Sequence, residues 1–160
     1  MRLDYRQILP AVPDAMKGLD RVVDQSTLEA PLRLLVKLRA SQLNGCAYCV
    51  DLHTRHAVER GEDPRRLHLV AVWDEAPVFT PRERAALAWT EALTLLPQTG
   101  APDNVYAEVA REFDAEEQVA LTLAIVAING YNRLSVGFRR PVGDAGATHG
   151  PAPTAVPSGR

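Results

Sequence analysis

Apolar residues recur every three or four positions along most of this chain, which is the spacing of one face of an α-helix. Helical stretches of this kind begin near Pro13, near Pro31 and again near Pro64. No stretch alternates between apolar and polar residues with the period of two that is typical of a half-buried β-strand. The sequence therefore predicts an all-α fold.

Two further helix starts are marked by their own side chains. Residues Thr80–Glu83 combine a capping hydroxyl, a proline at the first helical position and a glutamate three residues after the cap. Asp114–Glu117 has a similar arrangement, with an aspartate as the cap. These patterns predict one helix that ends before Pro97 and a second, long helix that runs toward Leu134.

The length and composition predict one helical domain followed by a tail. A chain of 160 residues can bury a core without metals or disulfides. From Pro141 onward the sequence is rich in Gly, Pro and Ala and has no apolar face. We therefore expect a domain over residues 1–140 and a disordered tail over residues 141–160.

Charge and hydropathy exclude several functional classes. The formal net charge of −2 gives no global basic field that would attract nucleic acid or an anionic membrane. The N-terminus has no apolar signal segment, and the most apolar run, Leu121–Ile128, is shorter than the ~20 residues of a membrane span. We expect a cytoplasmic protein. Because that run is apolar on every side, it is either central or covered by another subunit, and we expect an oligomer.

The segment NGCAYCVDLHTRH contains the only two cysteines, Cys46 and Cys49, together with His53 and His56. In the reducing cytoplasm such a pair indicates metal binding, redox chemistry or ordinary core packing. Spacings of three, four and three residues spread the four side chains over ~15 Å of one helix face. Because ligands at both ends cannot converge on one ion at ~2.0–2.3 Å, the four residues together do not form a metal site. A zinc site made of some of them with ligands from elsewhere in the chain remains an alternative.

The redox interpretation fits the same spacing. Asn44 and Gly45 form a turn, so the helix begins at about Cys46, where the helix dipole favours a thiolate. Cysteines three residues apart can form a disulfide. His53 lies one turn after Cys49, and an imidazole can accept a thiol proton near neutral pH. Plain packing remains the alternative, since cysteine is among the most buried residue types.

These residues carry a family resemblance. The block RASQLNGCAYCVDLHTRHA, together with FTPRERAALAWTEALTLL and INGYNRLSV, resembles the alkylhydroperoxidase D-like (AhpD-like) branch of the carboxymuconolactone decarboxylase family. The resemblance implies an all-helical fold in trimers or hexamers and a thiol peroxidase activity without metal, haem or other cofactor. It implies a hydroperoxide substrate, a lipoylated or thioredoxin-like dithiol donor, a redox pair of Cys46 and Cys49, and a proton relay through His53.

The chain departs from the family pattern at one position. Members of the branch place a relay glutamate twelve residues before the first cysteine, and that position is Leu34 here. Our candidate for the missing carboxylate is Glu91, which would orient His53 and raise its basicity. The alternative is a surface glutamate paired with an arginine. We assign Cys49 as the cysteine that attacks the peroxide and Cys46 as the resolving cysteine.

Two other functions remain open at this point. One is a lactone decarboxylase-like lyase, which would not need the two thiols. The other is a non-catalytic redox-sensing or partner-binding module, whose disulfide state would alter its assembly.

Overall fold

The structure is a computed structural model that describes residues 1–143. Most of the predicted tail lies outside the described residues, so the division at residue 140 stays a prediction. Residues 1–143 form nine α-helices and one 3₁₀ turn and contain no β-strand, which confirms the all-α fold. The helices are α1 (Tyr5–Ile8), α2 (Ala11–Asp24), α3 (Ala30–Leu43), α4 (Ala47–Glu59), α5 (Pro64–Leu69), α6 (Pro81–Thr94), α7 (Leu96–Thr99), α8 (Asp103–Glu112) and α9 (Ala115–Gly137), and the 3₁₀ turn is Val70–Val72.

The starts of α6 and α9 are confirmed as capping boxes. The hydroxyl of Thr80 accepts a hydrogen bond from the backbone N–H of Glu83, and the Glu83 carboxylate accepts one from the N–H of Thr80. Asp114 and Glu117 form the same reciprocal pair at the start of α9. Each box satisfies two backbone donors that the first turn of a helix leaves without an intrahelical partner.

Helix α3 lies at the centre of the domain and packs against α4, α6 and α9, while α2 packs on α9. The central side chains of these helices are almost completely buried; they include Leu35 and Val36 of α3, Leu87 of α6, and Leu121 and Ile125 of α9. Fully burying an aliphatic side chain of this size stabilises a fold by roughly 1.5–3 kcal/mol relative to leaving it exposed. As a consequence of this packing, α2, α3, α4 and α9 meet around one space, which contains the candidate site.

Helix α9 is central on one side and uncovered on the other. By length and hydropathy it could cross a membrane, but the core helix of a soluble protein meets the same criterion. The burial of Leu121 and Ile125 against the rest of the domain is that of such a core helix. On the opposite side, Val119 is 70% exposed and Val126 is 54% exposed. A second subunit would have an apolar surface to cover there.

The sequence patterns do not predict α8. Pro97, Gly100 and Pro102 indicate a loop in this region, and Gly100 does end α7 in the left-handed conformation, with φ of 64°. Only Val109 of α8 is buried. No side-chain cap marks the start of this helix after Pro102, and it packs against α6.

Arg82, in the first turn of α6, joins four segments of the fold. Its guanidinium donates to Glu29, before α3, at 2.8 and 3.0 Å, and to Glu117, in α9, at 2.6 Å. It also donates to the backbone carbonyl of Glu112, at the end of α8, and lies over the ring of Phe113. The side chain is 24% exposed, so these charge-assisted bonds are only partly screened by water.

Replacing Arg82 with alanine is expected to lower the free energy of unfolding by about 2 kcal/mol, because hydrogen bonds to charged groups contribute roughly 1.5–3 kcal/mol. The measurement is urea denaturation followed by circular dichroism. Arg21→Ala, at an exposed arginine of α2, is the matched control and should change the stability by less than about 0.5 kcal/mol. Equal effects of the two variants would contradict this role of Arg82.

Candidate active site around the cysteine pair

The cysteine helix begins as the local sequence predicts. Gly45 adopts a left-handed φ of 63°, a conformation that glycine reaches without a steric penalty. Cys46 follows as the N-cap of α4, and its Sγ accepts a hydrogen bond from the backbone N–H of Cys49 at 3.3 Å. An N-cap donor of this kind stabilises negative charge on the sulfur when the residue is a thiolate.

Cys46 and Cys49 are joined by a disulfide, with their Cα atoms 5.4 Å apart. Each residue is only 2% exposed. Cys49 nevertheless lines a cavity of about 370 Å³, which also contacts His53. Cys46 instead lines a smaller neighbouring cavity of about 210 Å³. The two cysteines therefore line different cavities, and the cavity of Cys49 is the one that includes the histidine.

His53 lies one helical turn after Cys49 and is 9% exposed. Its Nδ1 atom is buried and has no hydrogen-bond partner among residues 1–143. The pKa of His53 is lowered to about 3, chiefly by burial and further by the positive charges of Lys37 and His56, against the carboxylate of Asp20, which acts to raise it. In the disulfide form the imidazole is therefore neutral at pH 7 and retains one nitrogen that can accept a proton.

The buried histidine makes the stability of the protein depend on pH. Protonation of His53 opposes folding, so its contribution is complete above the unfolded pKa of ~6.5 and is lost as the pH falls toward 3. We expect the free energy of unfolding of the disulfide form to fall by about 2 kcal/mol between pH 6.5 and 5, at roughly 1.36 kcal/mol per pH unit.

Denaturation curves at several pH values, without reductant, measure this dependence. The variant His53→Gln should lose most of the slope, whereas His68→Gln, at an exposed histidine, should keep it. A slope that persists in His53→Gln would show that another group titrates in this range.

An ion-paired cluster from three helices forms one wall of the cavity. Asp20 of α2 accepts a hydrogen bond from Lys37 of α3 at 2.8 Å and another from the hydroxyl of Tyr131 of α9 at 2.8 Å. Burial and the Asp20 carboxylate raise the pKa of Tyr131, so the hydroxyl stays protonated. All three side chains line the cavity that contains Cys49 and His53. Asp20 is the acidic residue whose field acts on the imidazole.

Glu91, our candidate relay carboxylate, is not brought to this cavity. Its Oε1 atom accepts hydrogen bonds from Arg39 at 2.8 Å and from the indole N–H of Trp73 at 2.6 Å. These two donors hold the carboxylate in an ion pair between α3 and α6. The arrangement matches the alternative interpretation of a glutamate paired with an arginine. The predicted contact of Glu91 with His53 is corrected accordingly, because Arg39 and Trp73 fix the carboxylate elsewhere.

The sequence patterns missed Asp20, Lys37 and Tyr131. Lys37 lies 17 positions and Tyr131 lies 111 positions from Asp20 along the chain, so no local spacing connects the three residues. The only signal was the set of polar residues within the otherwise apolar faces of α2, α3 and α9. Leu34, at the position of the absent relay glutamate, lines the same cavity and gives it an apolar patch.

Within the described part of the chain, no three or more His, Cys, Asp or Glu side chains are grouped so that they could hold a metal ion. His56 lies edge-on to His53, with ring centroids 6.4 Å apart. The chemistry that this arrangement offers is that of a dithiol, a neutral imidazole and a nearby carboxylate.

Comparisons with known proteins identify the family of this chain. The Carboxymuconolactone decarboxylase family matches residues 10–92. The chain is 38% identical to the uncharacterized protein YdfG of Bacillus subtilis (strain 168), over 86% of this chain and 93% of that one. It is 34% identical to the uncharacterized protein YnjA of Escherichia coli (strain K12), over 71% and 60% of the two chains.

Solved structures share the fold. A protein of unknown function from Agrobacterium tumefaciens, suggested to be the antioxidant defence protein AhpD, superposes with a TM-score of 0.85 at 42% identity, over 88% of this chain and 97% of that one. The debrominase Bmp8 superposes with a TM-score of 0.75 at 20% identity, over 83% and 72% of the two chains. At that identity the second likeness concerns the fold alone.

Proposed function

This chain belongs to the carboxymuconolactone decarboxylase family as an AhpD-like member, and on this premise we propose that it is a dithiol-dependent peroxidase that reduces alkyl hydroperoxides or hydrogen peroxide. The observation that carries the proposal is the position of Cys49. Its sulfur is bonded to Cys46, it lines a cavity of small-molecule size, and it shares that cavity with a buried neutral histidine.

The proposed cycle has three balanced steps. The Cys49 thiolate attacks the terminal peroxide oxygen, the O–O bond breaks, and the alkoxide takes up a proton and leaves as an alcohol. Cys49 is then a sulfenic acid. The Cys46 thiol attacks that sulfur, which forms the disulfide and releases water. A dithiol donor finally reduces the disulfide with two electrons and two protons, and it becomes a disulfide itself.

The burial of His53 supports a role in proton transfer. A neutral imidazole with an unpartnered Nδ1 can accept the proton of the Cys49 thiol. The thiolate that results is a negative charge beside the ring, and such a charge raises the pKa of a neighbouring imidazole from its low value in the disulfide form. The proton is then available for the alkoxide that leaves in the first step.

Asp20 takes the role of the carboxylate that acts on His53, which we first assigned to Glu91. Its carboxylate raises the pKa of His53, while Glu91 is bound by Arg39 and Trp73. A carboxylate in this position favours the imidazolium that forms when Cys49 loses its proton. Lys37 and Tyr131 hold the carboxylate in place. We therefore assign Asp20 as a residue that positions and tunes the relay.

The family also suggests the partners. We propose that a lipoylated or thioredoxin-like dithiol protein supplies the electrons, that the protein acts in the cytoplasm, and that it assembles as a trimer or hexamer. The exposed valines of α9 provide an apolar surface for that assembly. Neither nucleic acid nor a membrane is needed by this chemistry.

Peroxide consumption by the purified protein tests the proposal. With dithiothreitol as the donor, we expect steady turnover of tert-butyl hydroperoxide and none with the double variant Cys46→Ser/Cys49→Ser. Turnover of a lactone substrate that survives in the double variant would favour the lyase function. Oxidation that stops after one equivalent and changes the oligomer size would favour a redox-sensing module.

A further inference from the structure

Charged side chains of both signs form part of the wall of the cavity beside Cys49. Its walls contain four cationic side chains and two carboxylates: Arg33, Lys37, Arg60, Arg140, Asp20 and Asp24. Arg140 lies over the ring of Tyr48 and acts electrostatically on the carboxylate of Asp4, so it already has partners.

The two carboxylates neutralise two of the cations. Asp24 pairs with Arg33 at 2.7 Å, and Asp20 pairs with Lys37 at 2.8 Å. Arg60 forms none of the ion pairs found within residues 1–143, and its guanidinium donates only to the backbone carbonyl of His56, at 3.2 Å. A guanidinium of this kind retains most of its capacity for a carboxylate, which it binds with parallel N–H donors.

Aliphatic side chains form another part of the wall, and the cavity is of small-molecule size. Leu34, Leu52 and Ile128 contribute aliphatic surface to a volume of about 370 Å³. Pockets of ~300–1,000 Å³ with apolar walls and a few polar groups are typical of small-molecule sites. The lining therefore suits a molecule with an apolar body and one anionic end.

The two ends of the cavity differ in exposure. Cys49 is 2% exposed, whereas Arg60, at the C-terminal end of α4, is an exposed residue. Eleven residues separate them, or about 16 Å along the helix axis at ~1.5 Å per residue. Because helical side chains tilt toward the N-terminus, the guanidinium can approach to a distance on the order of 10 Å from Cys49.

We propose that the substrate of this site is an organic hydroperoxide that carries a carboxylate, which pairs with Arg60 while the hydroperoxide group reacts at Cys49. The proposal rests on the peroxidase function proposed above and adds the substrate class. The chemistry is unchanged: the O–O bond breaks at Cys49, the hydroxy acid leaves, and the dithiol donor supplies the two electrons. The aliphatic walls contact the body of the molecule.

The test compares para-carboxycumene hydroperoxide with its methyl ester, using dithiothreitol as the donor. The two molecules have the same reacting group and differ in charge at the far end of the ring. We expect kcat/KM for the acid to exceed that for the ester by about tenfold at low salt, chiefly through a lower KM. The reason is that pairing a carboxylate with a guanidinium near a protein surface can increase the affinity by about this factor. Salt at about 0.5 M should reduce the ratio severalfold.

Two arginine variants locate the effect. Arg60→Gln should lower the acid-to-ester ratio by about fivefold, because it removes the one positive charge that pairs with the substrate carboxylate. Arg65→Gln removes the same charge from an exposed arginine outside the cavity and should leave the ratio unchanged. An acid-to-ester ratio near one in the wild type, or equal ratios in the two variants, would overturn the proposal, while turnover of the ester would still support the peroxidase.

A binding measurement separates the two proposals if neither peroxide is reduced. Absence of turnover would count against the peroxidase function. Calorimetric titration of the disulfide form with 4-isopropylbenzoate and with 4-isopropylbenzamide then tests the anion site alone. Tighter binding of the benzoate, weakened in Arg60→Gln but not in Arg65→Gln, is the expected result. Equal binding of the two ligands would overturn the inference.

Discussion

Replacing Cys49 with serine is expected to lower dithiol-dependent peroxide turnover by at least about a thousandfold, since loss of a nucleophile removes the covalent step altogether. Cys49 is the cysteine that lines the cavity with His53. A serine hydroxyl at the same position has a much higher pKa than a thiol and is not oxidised by a peroxide. The measurement is kcat/KM for tert-butyl hydroperoxide with excess dithiothreitol.

Cys46→Ser is the matched control, because it removes the other half of the same disulfide. Here Cys49 should still react with one equivalent of peroxide and accumulate as a sulfenic acid, which dimedone labels and mass spectrometry detects. Cys49→Ser should give little labelling of Cys46. The opposite assignment also has a physical basis, because the N-cap hydrogen bond to the Cys46 sulfur favours a thiolate at that residue. Rapid labelling of Cys46 in Cys49→Ser would therefore reverse the assignment of the two cysteines.

Replacing Asp20 with asparagine is expected to lower the same turnover by roughly a hundredfold at pH 7, a loss typical of an impaired acid–base relay. Removing the carboxylate lowers the pKa of His53 further, because Asp20 is the group that raises it. The imidazole then becomes a weaker base for the Cys49 thiol. The rate should recover as the pH rises, because hydroxide increasingly removes the thiol proton.

Glu91→Gln is the control for Asp20→Asn. Both changes neutralise a carboxylate that lies in an ion pair between helices, with Lys37 in one case and Arg39 in the other. Their effects on stability should therefore be similar, while Glu91→Gln should change turnover by less than about threefold. Asp20→Glu, which keeps the charge, should restore part of the rate. A normal pH profile in Asp20→Asn, or equal losses of turnover in the Asp20 and Glu91 variants, would show that Asp20 does not act on the relay.

The helices and the cysteine motif follow from local rules. Helical periodicity, a proline at the first turn and a reciprocal cap involve residues within a few positions of one another, so the starts of α6 and α9 could be predicted from Thr80 and Asp114. The same holds for Gly45, Cys46 and Cys49, because a helix start fixes the positions of residues three apart. Helix α8 could not be predicted in this way, since its N-cap is Pro102, which has no side-chain group that could cap the helix.

The sequence by itself determined the helical class of this protein and the succession of two sulfurs and one imidazole along α4. Only the tertiary structure decided which charged groups surround them. Asp20 reaches the cavity because α2 packs on α9, and Glu91 stays outside it because Arg39 and Trp73 bind its carboxylate. The physical reason is that helix periodicity is a property of neighbours in the chain, whereas the electrostatic field at His53 is a sum over side chains that only packing brings together.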